Sequence, residues 1–365
     1  MTPLEIRIAD LIRSGGPMSV TEYMRTSLAD PDHGYYVTRD PLGAAGDFTT
    51  APEISQMFGE LIGLWCVDVW QKMDRPSPFD WVELGPGRGT LMADAVRAAQ
   101  VLPDFLEDGR LTLVETSPML KERQRQALAE APLPVAWTDT FDADGEAPLL
   151  LIANEFLDAL PIRQFERTAD GWRERQVALD GEAGFRFATG DTVMEDQVPA
   201  ALRDTPTGAI FETCPDARDL VAAVADRIAR SGGAALFIDY GHPVPALGET
   251  LQAVRGHAYH RVLTDAGEAD LTAHVDFGAL ADSARDAGAS VLGPVDQGRF
   301  LQAIGIERRT EALVRTASPD QIADIASALN RLTAPGPNAM GRLFKAMAVH
   351  HPDMVGVDGF GAAMF

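Results

Sequence analysis

Apolar residues recur at positions 4, 6, 8, 11 and 12 of PLEIRIADLIRSGG and stop at a Gly-Gly pair, which predicts an amphipathic helix. A second helix is predicted over SVTEYMRTSLA, where Ser19 can cap and Glu22 stands three residues on. The following DPDHGYYVTRDPLGAAGDF is crowded with Pro, Gly and Asp and reads as a loop. From Ile54 onward Met57, Phe58, Leu61, Ile62 and Trp65 keep a helical period, the mark of a buried helix face. Gly59 and Gly63 lie four apart on that helix and point to close backbone packing against a neighbour. Just before it, Thr50, Pro52 and Glu53 form the pattern of an N-cap, a first-turn proline and a capping box. That pattern accounts for Glu53 locally, and leaves a catalytic role for it as the alternative.

After DRPSP the pattern changes. Short apolar runs alternate with helical stretches: FDWVEL (79–84), LTLVE (111–115), PVAWTD (134–139) and PLLLIANE (148–155). Uncharged runs such as LLLIA, bounded by turn residues, are what strands buried on both faces look like. Their alternation with helices predicts βαβ units and a parallel, doubly wound α/β sheet. The series resumes with GAALFIDYG (233–241), and further strands are expected near SVLGPV and RLFKAMAV. Residues 161–210 are more polar and alternating, around ADGW and LDGEAG, and read as an inserted β-hairpin. The expected organisation is a helical N-terminal region over 1–75, followed by a core over 76–365 that carries the insertion 161–210.

Composition narrows the function classes. The chain of 365 residues is 46% hydrophobic and 23% charged, a globular composition, and its 54 acidic against 31 basic residues give a net charge of −23. Such a surface repels phosphate backbones, so nucleic acid is not the expected partner. Cys66 and Cys214 lie far apart in no ligand spacing, and His257 and His260 in RGHAYHR lack a nearby carboxylate to complete a zinc pattern; no metal is expected. No uncharged apolar run is long enough to span a bilayer, so membrane insertion is not expected. The first thirty residues mix arginines with acids, unlike a signal or transit peptide, and the expected location is the cytoplasm.

The first strand runs into ELGPGRGTLMADAV, in which Gly85, Gly87 and Gly89 alternate ahead of a helix starting at Thr90. A strand–glycine loop–helix lets backbone approach a ligand at the carboxyl end of a sheet. A dinucleotide loop would put glycine at position 90, so Thr90 makes a dinucleotide oxidoreductase the weakest reading. The G-x-G-x-G spacing, with Glu83 two residues before it, instead resembles motif I of class I S-adenosylmethionine methyltransferases. That ligand carries a sulfonium and an ammonium, whose charge Glu83 offsets. Glu115 ends the second strand, where its oxygens can take both ribose hydroxyls. Asp139 ends the third, in reach of an adenine amino group, and Asn154 with Glu155 ends the fourth, at the expected transfer point. Each acid has a plainer reading as a helix cap or a solvated strand end; four successive strand ends together favour the cofactor.

The stretches HGYY (33–36), GDFTTAPEISQMFGELIG (46–63), VELGPGRGTLMADAVR (82–97), NEFLDALP (154–161), FIDYG (237–241), DLTAHVDF (270–277) and GRLFKAMAV (341–349) together resemble the MidA-like family of S-adenosylmethionine-dependent methyltransferases. The resemblance covers nearly the whole chain. It implies a class I methyltransferase core, S-adenosyl-L-methionine as cofactor, and an arginine of a protein as acceptor, because the family's mitochondrial members help assemble respiratory complex I and methylate one of its subunits. The absence of a transit pattern suggests a bacterial member. Arginine methylation needs carboxylates that localise the guanidinium charge, and Glu155 and Asp158 of NEFLDALP are the candidates, each with a helix cap as its alternative. His274 is the candidate for orienting the acceptor or taking up its proton, against a plain core role; Asp239 is a further partner or a turn residue. GDFTT is expected to lie over the cofactor, with Phe48 or Thr50 touching it. The alternatives are a small-molecule methyltransferase of the same fold and an assembly protein that binds cofactor without turnover.

Overall fold

The computed structural model describes residues 1–39, 47, 49–181 and 184–361. The chain folds as two compact units, each assembled from separated segments. Unit 1 comprises 1–48, 158–219 and 244–276; unit 2 comprises 49–157, 220–243 and 277–365.

Unit 2 holds the sheet that the apolar runs predict. Its strands are β1 (Phe79–Leu84), β2 (Gly109–Val114), β3 (Val135–Thr138), β4 (Leu149–Asn154), β5 (Gly233–His242), β6 (Ser290–Asp296) and β7 (Phe344–His350). They lie in the order β6-β7-β5-β4-β1-β2-β3. The pairs β5–β4, β4–β1, β1–β2 and β2–β3 are parallel, while β7 runs antiparallel to both its neighbours. All six residues of LLLIAN in β4 are buried, as a central strand covered on both faces requires. This is the doubly wound class I methyltransferase arrangement, with its reversal of strand order between β1 and β4.

Four helices of unit 2 position the loops of interest: α1 (Ala51–Ile54), α2 (Gln56–Lys72), α3 (Thr90–Ala99) and α4 (Pro118–Ala127). Ser55 caps α2 through the Met57 N–H, and Phe58, Leu61, Ile62 and Trp65 are buried on one face, as their spacing predicts. The two helix glycines explain how α2 meets α3. A Cβ on Gly63 would lie 2.5 Å from the Ala95 Cα, and one on Gly59 would lie 2.7 Å from the Asp94 Cβ. Helix axes can approach that closely only where side chains are absent. Trp70, Phe79, Trp81 and Phe105 fill the adjoining core, with ring centroids 4.9 to 6.0 Å apart.

Unit 1 is built on the helices Pro3–Gly15 and Val20–Ala29, each opened by a full capping box: Thr2 with Glu5, and Ser19 with Glu22. An antiparallel sheet joins Met18–Ser19, Gly171–Asp180, Arg163–Thr168 and Ile210–Thr213, with Gly184–Val193 paired on Gly171–Asp180. A second small sheet pairs Gln252–Arg255 with Ala258–His260 and with Asp270–Thr272. Tyr23, Met24, Tyr35, Ile162, Val177 and Leu271 share its core.

These units differ from the division at residue 75. α2 belongs with the sheet because its apolar, glycine-notched face is buried against α3 rather than against the N-terminal helices. The polar region 161–210 is larger than a hairpin, contributing three strands to a sheet that Met18–Ser19 extends. Residues 244–276, which the sequence left with the core, fold with the N-terminal helices.

Candidate active site

The loop after β1 turns through three left-handed glycines, Gly85 (φ +59°), Gly87 (φ +54°) and Gly89 (φ +82°). Gly85 is doubly constrained, since a Cβ there would also lie 2.5 Å from the Phe156 ring. Gly89 leads straight into α3 without a side-chain cap bond to the first N–H groups of that helix. Thr90, the residue that breaks the dinucleotide spacing, donates its hydroxyl to Glu53 Oε1 at 2.6 Å.

That bond corrects the capping box expected at Thr50. Thr50 does precede α1, but its hydroxyl makes no cap bond, and the Glu53 carboxylate turns to Thr90 and lies 3.9 Å from Arg88. A charge-assisted bond to a hydroxyl on the glycine loop's helix outcompetes a local cap. The short helix is pinned at its other end too, where the Ala51 N–H donates to Glu155 Oε1 at 2.7 Å. The segment before α2 therefore docks on the ends of two strands, β1 and β4, across the point where strand order reverses. Phe48 and Gly46 lie outside the described residues.

Two buried polar atoms stand at neighbouring strand ends without a hydrogen-bond partner among the described residues, Glu83 Oε2 and Asn154 Oδ1. Glu83 is 2% exposed, and burial together with the nearby Glu115 carboxylate pushes its carboxyl up to about 8. Glu115 is also raised by burial, against the Ser117 N–H that it accepts at 2.8 Å and the Gln124 amide at 3.1 Å. Orphaned acceptors in a dry interior are costly unless a ligand donates to them. These acceptors and the glycine cradle fit a ligand with cationic and hydroxyl groups. Asp139 is different in character: its side chain is 73% exposed and pairs with Lys121 on α4.

Glu155 holds a left-handed backbone (φ +51°), unusual for a residue with a Cβ, and Asn154 Nδ2 donates to it at 3.3 Å. Asp239, on β5, fixes the turn that follows: its carboxylate accepts the N–H groups of Phe156 at 3.1 Å and Leu157 at 2.9 Å. It is thus a loop anchor, beyond the turn role that the sequence allowed.

Of the three residues singled out for catalysis, Glu155 belongs to unit 2, and Asp158 and His274 belong to unit 1. Within unit 1 the Ala273 N–H donates to the Asp158 carbonyl at 3.0 Å, and the His274 N–H donates to Thr250 Oγ1 at 2.9 Å. Asp158 is buried beside Asp270, a residue that sequence reasoning missed. Burial, then the Asp158 charge, pushes Asp270 up to about 8, while the Tyr36 hydroxyl donates to it at 2.9 Å. Tyr35, ring to ring with Tyr36 at 5.2 Å, donates to Asp47 at 2.5 Å. HGYY and DLTAHVDF held both partners of the Tyr36–Asp270 bond, but nothing in either stretch announced the pairing.

Residues 61–295 match the model of a family of S-adenosyl-L-methionine-dependent methyltransferases. The chain belongs to that family. The methyltransferase is 37% identical over 365 residues to the mitochondrial protein arginine methyltransferase NDUFAF7 of Danio rerio, across 94% of this chain and 85% of the relative. To the Mus musculus protein of the same name it is 39% identical over 339 residues, covering 87% and 77% of the two chains. Among solved structures it matches a Burkholderia thailandensis protein bound to S-adenosyl-homocysteine, with a TM-score of 0.84 and 29% identity, over 99% of this chain and 93% of that one. The fold and the cofactor class are those that the glycine loop implied. The cytoplasmic location is corrected: the curated relatives from fish, mouse and human are named as mitochondrial proteins.

Proposed function

We propose that this methyltransferase acts on arginine side chains of a protein, with a subunit of respiratory complex I as the expected substrate. The observation that carries the reading is the near full-length likeness to relatives named protein arginine methyltransferases. S-adenosylmethionine, when bound, supplies a methyl group already activated on a sulfonium. In this reading Gly85, Gly87 and Gly89 let the backbone close on it, Glu83 offsets its positive charge, and Glu115 takes the ribose hydroxyls. Asp139 accepts from the adenine amino group, Asn154 stands at the transfer end, and Thr50 closes over the site from the α1 segment.

The acceptor poses a separate chemical problem. A guanidinium stays protonated at neutral pH and offers no free lone pair. Carboxylates that bind it hold its charge on two nitrogens and leave the third oriented for attack, so that positioning supplies much of the rate. Glu155 and Asp158 are the acids proposed for this, and His274 for orienting the acceptor or receiving its proton. Each role is tested singly. Purified enzyme, S-adenosylmethionine and candidate complex I subunits are incubated and read by intact mass. Gain of one or two methyl groups on a single arginine is expected; no gain on any subunit overturns the acceptor assignment. Glu155→Ala and Asp158→Asn are expected to lose turnover while still binding S-adenosylhomocysteine by calorimetry.

A further inference from the structure

Helix α4, PMLKERQRQA, is polar almost throughout, yet Gln124 on it is 0% exposed. Its amide is fully engaged. Nε2 donates to the Gly87 carbonyl at 2.7 Å and to Glu115 Oε2 at 3.1 Å, while Oε1 accepts from Trp137 Nε1 at 2.9 Å. An indole N–H can only donate, so the amide oxygen must face Trp137 and both amide hydrogens must face the loop and the carboxylate. One side chain thereby ties together the glycine loop after β1, the end of β2 and the strand β3. It also packs beneath the loop, since a Cβ on Gly89 would lie 3.3 Å from the Gln124 Cα.

The consequence falls on Glu115. Its Oε1 is held by the Ser117 N–H and its Oε2 by Gln124, so the carboxylate plane is fixed from both sides. Each oxygen still has acceptor capacity left. We propose that Gln124 is a positioning residue for the methyl donor: it sets the plane of Glu115 and the depth of the glycine loop together, and so determines how strongly the enzyme recognises the ribose hydroxyls. This rests on the cofactor reading given above. A side chain that merely filled space would support every ligand of the pocket alike; one that aims Glu115 acts only on ligands with hydroxyls to donate.

The test compares S-adenosylhomocysteine with its analogue lacking the ribose 2′-hydroxyl, by calorimetry, on wild type, Gln124→Met, Trp137→Phe and Gln126→Met. Gln124→Met keeps the size and removes the donors. Gln126 sits on the same helix with an exposed bond to Glu122 and serves as the control. Wild type is expected to prefer the hydroxylated ligand by about tenfold or more, the worth of a hydrogen bond to a charged group. In Gln124→Met that preference collapses, mainly through weaker binding of the hydroxylated ligand, while Gln126→Met behaves as wild type. Trp137→Phe frees the amide to turn over and shows a smaller loss of the same preference, which keeps the idea testable if Gln124→Met folds poorly. Equal weakening of both ligands, or an unchanged preference in both variants, overturns the proposal. Wild type that binds neither ligand overturns the cofactor reading itself.

Discussion

Replacing Glu83 by Gln removes a buried carboxyl that stands at about 8 rather than at its ordinary 4.5. Between those two values the folded chain keeps a proton that the unfolded chain has released. Stability from this group is therefore complete below the lower value, falls as pH rises, and is gone above the upper one. Each pH unit in that window costs up to about 1.4 kcal/mol, so moving from roughly pH 5.5 to roughly pH 7.5 costs up to about 2.7 kcal/mol. Glu83→Gln keeps the shape and has nothing to titrate. Its stability relative to wild type should rise by about 2 kcal/mol across that window, while other titrating groups such as Asp270 cancel in the difference. Denaturant unfolding followed by tryptophan fluorescence suits the purpose, since Trp65, Trp70, Trp81 and Trp137 belong to unit 2 and only Trp172 to unit 1. Parallel stability curves for the two proteins would refute the argument. A second arm follows from the same proton: a cationic ligand arriving at Glu83 should expel it. S-adenosylmethionine, which carries the sulfonium as well as the ammonium, titrated near neutral pH in buffers of different ionisation heat should release a proton from wild type and none from the variant.

Gly63→Ala puts a Cβ 2.5 Å from the Ala95 Cα, and the overpacking should outweigh the gain in helix propensity, for a net loss of about 2 kcal/mol in denaturant unfolding. Gly15→Ala, whose Cβ would meet nothing within 4 Å, should lose none, and equal behaviour of the two would count against the close-packing account. Glu53→Gln and Thr90→Val, combined in a double-mutant cycle, should show a coupling of about 1 to 2 kcal/mol; simple additivity would mean that the 2.6 Å bond carries no energy. Arg227 is fully buried, bonded to the carbonyls of Asp142 and Ala147 and to the Asp80 carboxylate. Arg227→Met should cost about 3 kcal/mol or more, measured by unfolding midpoint, because it strands these acceptors together.

The sheet was legible because a strand buried on both faces has to be apolar along its length, as LLLIA and GAALFI are between their turn residues. The glycine loop was legible for a related reason, since its residue types follow from backbone geometry. Ser19 and Glu22 form the capping box that their spacing predicts. Thr50 and Glu53 have the same spacing and do not, because a partner 37 residues away, Thr90, takes the carboxylate. A local pattern records what a residue can do nearby and is silent about a distant competitor. Gln124 illustrates the same limit from the other side, for nothing marks one glutamine of a polar helix as the buried one. The unit boundaries were hidden because unit 1 is stitched from three segments, and amphipathic periodicity says that a face is covered without saying by what.

The position of β7 has a consequence for how the molecule is made. A chain grows from its N-terminus, so β5 and β6 exist before Phe344–His350 does. Yet β7 is hydrogen-bonded to both of them, and among the described residues β6 reaches the rest of the sheet through it alone. Until that strand arrives, Ala234–Tyr240 of β5 lacks its antiparallel partner and β6 lacks the strand that it pairs with, a state that invites association with other chains. The inner edge of the sheet is thus at greatest risk late in synthesis, and its closure waits on the seven residues Phe344–His350.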